Sequence, residues 1–153
     1  MARFRGIFSC TLDEKGRFVF PKKLRQSLPP NTEHFVIREG HERCLYLYTL
    51  ESWESKENEY DRLNDENPEH RLLQRLVAET IEEVTLDGQY RLMIPSRYIE
   101  HARLRLKGMI RVAGQFSRIE IWDPDEYAAY KSLPQNNRSF SDVSASVLGG
   151  RQP

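Results

Sequence analysis

The sequence predicts an α+β fold made of two tandem β-hairpin units that share one pseudo-twofold, β-barrel-like core, with helices at the periphery. Three observations predict it. The stretch Thr11-Leu12-Asp13-Glu14-Lys15-Gly16-Arg17-Phe18-Val19-Phe20-Pro21 returns 74 positions later as Thr85-Leu86-Asp87-Gly88-Gln89-Tyr90-Arg91-Leu92-Met93-Ile94-Pro95. Held at that offset without a gap, Thr, Leu, Asp, Arg and Pro coincide, Gly40 falls on Gly114, and Tyr48 falls on Trp122. Each copy carries four short runs rich in β-branched and aromatic residues. A unit of about 45 residues has little core of its own, so the two must pack together or pair strands.

Residues 8–12 and 17–20 read as the first two strands. Between them, Asp13 is placed to accept backbone N–H bonds, and Gly16 tolerates a positive φ. Pro21 fits the first position of a short helix through Leu24 and Leu28, which stops at Pro29-Pro30. Strands at 35–38 and 44–48 enclose the turn Glu39-Gly40-His41-Glu42. Thr49 then caps a helix over 50–64, with Leu50, Trp53, Tyr60 and Leu63 as an interrupted apolar stripe. Asn67 and Pro68 supply the cap and first residue of the next helix, whose apolar face is Leu72, Leu73, Leu76 and Val77. The second copy repeats the order: strands near 82–87 and 91–94, a helix from Pro95 to about 104, and strands near 109–113 and 118–122. A last helix begins Asp123-Pro124-Asp125-Glu126, which resembles a capping box. In the second turn the glycine has moved to Gly88 and Tyr90 takes the fourth place. Tyrosine disfavours positive φ, so a different turn geometry is expected there. The organisation is therefore a first unit at 3–64, a connecting helix at 65–80, a second unit at 81–133, and a Ser-, Asn-, Gln- and Gly-rich stretch at 134–153 expected to be a disordered tail.

Apolar residues make up 39% of the 153-residue chain and charged residues 30%, which predicts a globular protein with a charged surface. Its apolar runs are too short to span a bilayer, and Met-Ala-Arg-Phe-Arg-Gly lacks the apolar core of a secretory signal. Cys10 and Cys44 lie in apolar, strand-like runs and read as buried free thiols, consistent with a cytoplasmic protein. Net charge is zero, but it is unevenly spread. Residues 1–25 carry seven basic groups against two acids, residues 51–69 eight acids against two basic groups, and residues 87–111 six basic groups against two acids. Both basic segments contain the repeated hairpin, so the polarity can steer an anion to the hairpins.

These residues reach a known family. Asp-x-x-Gly-Arg followed by an apolar strand and Pro, in tandem, resembles the MraZ family of bacterial transcriptional regulators. Its units are of the SpoVT/AbrB swapped-hairpin class. Phe4-Arg5-Gly6, Cys44-Leu45-Tyr46-Leu47-Tyr48 with Trp53, Asn67-Pro68 with Arg71 and Arg75, Gly114-Gln115-Phe116 and Glu120-Ile121-Trp122 extend the resemblance over residues 3–133. It implies a sequence-specific DNA-binding regulator, a repressor of its own division and cell-wall gene cluster. It also implies a nucleoid-associated ring of identical subunits that presents several hairpins to repeated promoter boxes in double-stranded DNA.

Arg17 and Arg91 each begin a strand straight after a turn, where a planar guanidinium can fork onto a guanine edge or a phosphate. A two-stranded ribbon fits the major groove. Lys15, Lys22, Lys23 and Arg25 flank the first tip and suit phosphate contacts, which position without carrying sequence information. Arg5 and Arg97, in the same basic segments, complete the expected DNA-binding set. Asp13, Gly16, Asp87 and Gly88 are expected to structure the turns, and an Asp/Arg pair there also reads as a local ion pair. The second copy has Gln89 and Ser96 where the first has Lys15 and Lys22, so the first hairpin is expected to be the principal reader. An interaction scaffold that binds protein through its acidic helices is the alternative. No catalytic constellation is recognisable. The histidines His34, His41, His70 and His101 have no metal-ligand spacing, and no phosphate loop, nucleophile elbow or zinc-protease motif occurs. Neither catalysis, cofactor, metal, membrane contact nor small-molecule substrate is expected.

Overall fold

The chain folds by exchanging strands between its two copies. The computed structural model describes residues 2–149. In chain order the first copy contributes β1 (Ile7–Thr11), β2 (Arg17–Val19), α1 (Lys22–Arg25), β3 (His34–Glu39), β4 (Leu45–Thr49) and α2 (Leu50–Asp61). Helix α3 (Pro68–Thr80) leads into the second copy: β5 (Ile81–Thr85), β6 (Arg91–Met93), α4 (Ser96–Ala102), β7 (Met109–Gln115), β8 (Arg118–Trp122) and α5 (Pro124–Ser132), followed by α6 (Phe140–Leu148).

Six strands form an antiparallel sheet in the order β1-β7-β8-β4-β3-β5, and β2 pairs with β6 in a separate two-stranded sheet. Exchanging each strand for its repeat partner reverses the six-strand order and leaves it unchanged. The pseudo-twofold axis therefore runs through the β4–β8 and β2–β6 pairs, where Tyr46 faces Glu120 and Phe18 faces Leu92. Among the described residues the expected barrel-like closure is absent, because β1 and β5 are the open edges of the large sheet.

The packing makes two apolar layers. Phe18 and Leu92 of the small sheet, with Phe20 and Ile94 just beyond its strands, pack with Phe35, Ile37, Leu45, Leu47, Ile110, Val112, Ile119 and Ile121 on one face of the large sheet. The other face carries Val36, Cys44, Tyr46, Tyr48 and Trp122 against Trp53 of α2 and Val77 of α3. Alternation along β4 sends leucines to one layer and tyrosines to the other, so the strand is buried throughout.

The gapless offset fails at one place. Thr11 faces Met109, whereas its repeat partner Thr85 faces His34. The offset carries His34 onto Gly108, one position short of Met109. Likewise Glu39 faces Leu45 as Gly114 faces Ile119. Gly114 thus stands at the register position of Glu39, beside that of Gly40. Strand β7 has slipped by one position, which keeps Ile110 and Val112 on the face occupied by Phe35 and Ile37.

The expected caps are formed. Thr49 accepts from the N–H of Ser52, Asn67 from those of Glu69 and His70, and Asp123 from those of Asp125 and Glu126. Glu126 reaches Arg103 at 3.4 Å. Of the apolar face read on α3, only Val77 is buried, and Leu72, Leu73 and Leu76 are exposed. Within the stretch expected to be a disordered tail, Phe140–Leu148 is helical. Ser139 caps it by accepting from Asp142, and Phe140, Val143 and Val147 supply a helical stripe that the polar composition hides. Residues 150–153 of that tail lie outside the described residues.

Candidate nucleic-acid interface

Each hairpin turn is built around one carboxylate. Asp13 Oδ1 accepts from the backbone N–H of Lys15 at 2.9 Å and of Arg17 at 2.8 Å, and its Oδ2 accepts from Arg17 Nε at 2.8 Å. Asp87 does the same with Gln89 at 2.8 Å, Arg91 N at 2.9 Å and Arg91 Nε at 2.8 Å. The backbone closes both turns alike: Asp13 N to Arg17 O and Gly16 N to Asp13 O in one, Asp87 N to Arg91 O and Tyr90 N to Asp87 O in the other. The backbone N–H of the following arginine holds each carboxyl below its ordinary range, and the guanidinium adds to that.

The different geometry expected of the second turn is not found. Tyr90 adopts φ 61° at the place where Gly16 has φ 81°. Gly88 has no positive φ, and a Cβ built there would meet nothing within 4 Å. The surroundings explain how a tyrosine fits. At Gly16 an added Cβ would lie 2.8 Å from Ile99 Cδ1 and 3.1 Å from the Ile94 carbonyl, so a side chain there would have to displace Ile99 and press on that carbonyl. At the equivalent site Ile99 is replaced by Arg25, whose guanidinium lies 3.7 Å from the centre of the Tyr90 ring. That cation–π stack offsets part of the cost of a left-handed tyrosine.

The turns are locked together by the small sheet. Phe20 N donates to Tyr90 O and Ile94 N to Gly16 O, both at 2.8 Å. Phe18 and Leu92 point inward. On the outer face Arg17 stands opposite Met93, and Arg91 opposite Val19. Val19 is 60% exposed and Met93 50%, so two arginines and two apolar side chains share one surface. With each Nε engaged by a carboxylate, neither arginine has a hydrogen bond from its outer nitrogens among the described residues. Two forked donors are thereby presented from one rigid platform.

Strand exchange also redistributes the flanking charge. Lys22 and Arg25, which follow the first hairpin in sequence, line a groove with Asp87, Gly88 and Tyr90 of the second. Lys15 and Lys23 are exposed, and Glu14 approaches Lys107 at 3.9 Å. Arg97 stacks on Tyr98 and donates to the Glu79 carbonyl, so it is held by its own chain. Arg5 lies beyond the far end of β1, where Phe4 bridges Phe116, away from both turns. The structure thus gathers Arg17, Arg91, Lys15, Lys22 and Arg25 around the small sheet and leaves Arg5 outside. The sequence reading missed Tyr90, Val19 and Met93 as surface groups. Two-residue alternation about the inward Phe18 and Leu92 was the available signal for the latter two. Among the described residues there is no cluster of three His, Cys, Asp or Glu able to hold a metal ion, and no helix long and apolar enough to cross a membrane.

A family model described as "MraZ protein, putative antitoxin-like" matches residues 3–76 and 78–148. The chain is 34% identical over 149 residues to the "Transcriptional regulator MraZ" of Hydrogenovibrio crunogenus, covering 96% of this chain and 97% of that protein. It is 35% identical over 149 residues to the protein of the same name from Cytophaga hutchinsonii, covering 97% and 96%. With that of Yersinia pestis it shares 37% identity over 122 residues, covering 78% and 79%.

Proposed function

The chain belongs to the MraZ family, and from that premise we propose that it is a sequence-specific DNA-binding transcriptional regulator. The observation that carries the reading is the pair of matching turns on one sheet, each holding an arginine by its Nε and presenting the outer fork. Arg17 and Arg91 enter the major groove and take guanine edges. Lys15, Lys22, Lys23 and Arg25 take phosphates. Arg97 supports the platform through its own chain, and Arg5 contributes only to the field.

Two arginines on a small face make a weak, salt-sensitive reader. Identical subunits in a ring solve this, because each contact after the first is effectively intramolecular. The exposed leucines of α3 and the open strands β1 and β5 are surfaces fit for subunit contacts. In this reading the protein sits on the nucleoid, binds repeated boxes upstream of its own division and cell-wall gene cluster, and represses it. A non-catalytic scaffold is the second reading, favoured by the same exposed α3 leucines. A gel shift on the duplex upstream of its own gene separates the two. Retarded complexes that need more than one box support the regulator, and no complex at low salt supports the scaffold.

A further inference from the structure

The two turns are related by a pseudo-twofold axis, but what stands beside them is not. Around the second turn stand Lys22, Arg25 and Gln26, at the edge of a groove of about 520 Å³. The equivalent positions beside the first turn are Ser96, Ile99 and Glu100. At these three positions one side carries two cations and the other an acid; Glu33 and Asp87 also line the groove, and Lys107 stands beside the first turn near Glu14. The shapes differ as well. Ile99 fills the space over Gly16, whereas Tyr90, 48% exposed, projects beneath Arg25 and walls the groove. Arg25 makes no side-chain hydrogen bond among the described residues, and with its Nε buried it is the outer nitrogens of the guanidinium held over that ring that still have donors to give.

We propose that this groove is a second contact for the DNA sugar–phosphate backbone, present beside only one of the two turns, so that the protein engages each box in a single orientation. The inference rests on the DNA-binding reading above. Lys22 and Arg25 supply the charge for a phosphate on the flank of the box, and Tyr90 supplies a flat face for the adjoining sugar. Arg17 and Arg91 alone would give a nearly twofold-symmetric reader, indifferent to which way a box points. The groove breaks that symmetry.

Hydroxyl-radical footprinting of the full chain on an end-labelled duplex from the DNA upstream of its own gene tests this. The wild-type footprint should extend further on one flank of each box than on the other. Lys22→Ser, at an exposed position, should lose the extension and keep the central protection. The double variant Arg25→Ile with Tyr90→Gly, which installs beside the second turn the pair found beside the first, should do the same. The slope of log affinity against log salt should fall by about 0.9 for each phosphate no longer neutralised. A symmetric wild-type footprint, or an extension that Lys22→Ser retains, overturns the inference while leaving DNA binding intact. No footprint at any salt overturns the DNA reading itself, and this inference with it.

Discussion

Asp13 Oδ2 accepts from Arg17 Nε at 2.8 Å, and Asp87 and Arg91 repeat the contact at the same distance in the second copy. Each carboxylate therefore both folds the turn and aims the arginine. Both carboxyls titrate below their ordinary 3.8, first because the backbone N–H of the following arginine bonds to the charged form. A depressed folded-state pKa stabilises above the unfolded value and is lost as pH falls through the folded one. The turns should thus be intact from neutral pH down to the ordinary carboxylate range, and loosen only below it. Amide exchange at Lys15, Arg17, Gln89 and Arg91 followed by NMR against pH reads this directly. Asp13→Asn and Asp87→Asn should lower protection in the turn they alter and remove its dependence on acid, because the amide does not titrate.

Gly16 and Tyr90 share a backbone conformation for different reasons, so their substitutions should diverge. Gly16→Ala places a Cβ against Ile99 and the Ile94 carbonyl at a positive φ, and should destabilise by more than about 1 kcal/mol. Tyr90→Gly relieves the strained φ and forfeits the Arg25 stack, two effects of about 1 kcal/mol that oppose. Its midpoint in a urea titration should stay close to wild type, whereas that of Gly16→Ala falls.

The repeat, the first turn and the helix caps were legible because each is written in neighbouring residues. What was not legible depends on pairing across the chain. Lys22 and Arg25 follow the first hairpin, but β2 pairs with β6, and this carries them to the second turn. Tyr90 looked incompatible with its site because the guanidinium that supports it belongs to Arg25, in the other copy of the repeat. The leucine periodicity of α3 correctly marked an apolar face, but periodicity does not say whether this chain covers it. Phe140–Leu148 was masked by its serines, although its cap and apolar spacing were both present. Strand exchange carries Lys22 to the second turn, whereas Lys15 stays in the first, where its repeat partner in the second is Gln89.

The exposed α3 stripe makes a prediction about assembly. Leu72→Glu combined with Leu76→Glu removes two apolar side chains that are 54% and 48% exposed in the subunit. On the ring assembly proposed above, light scattering should show the wild-type mass reduced to smaller species, with far-UV circular dichroism unchanged. An unchanged mass excludes α3 from the subunit contact.

The cysteines should differ in reactivity. Burial pushes the Cys44 thiol up to about 12, with Glu120 and Glu42 adding to it, and burial also raises that of half-buried Cys10. The thiolate is the reactive form. A disulfide reagent at pH 8 should therefore modify Cys10 slowly in the folded protein, and Cys44 only after denaturant is added, as mass spectrometry of the labelled peptides would show.

The central claim is that Arg17 and Arg91 read base edges from one platform. Fluorescence anisotropy at fixed salt, on the duplex upstream of its own gene and on an unrelated duplex of equal length, tests it most directly. Arg17→Ala and Arg91→Ala should each weaken specific binding by about 1–3 kcal/mol, roughly fivefold to hundredfold, and should weaken binding to the unrelated duplex far less. Wild-type affinity and specificity in the Arg17→Ala, Arg91→Ala double variant would contradict the account.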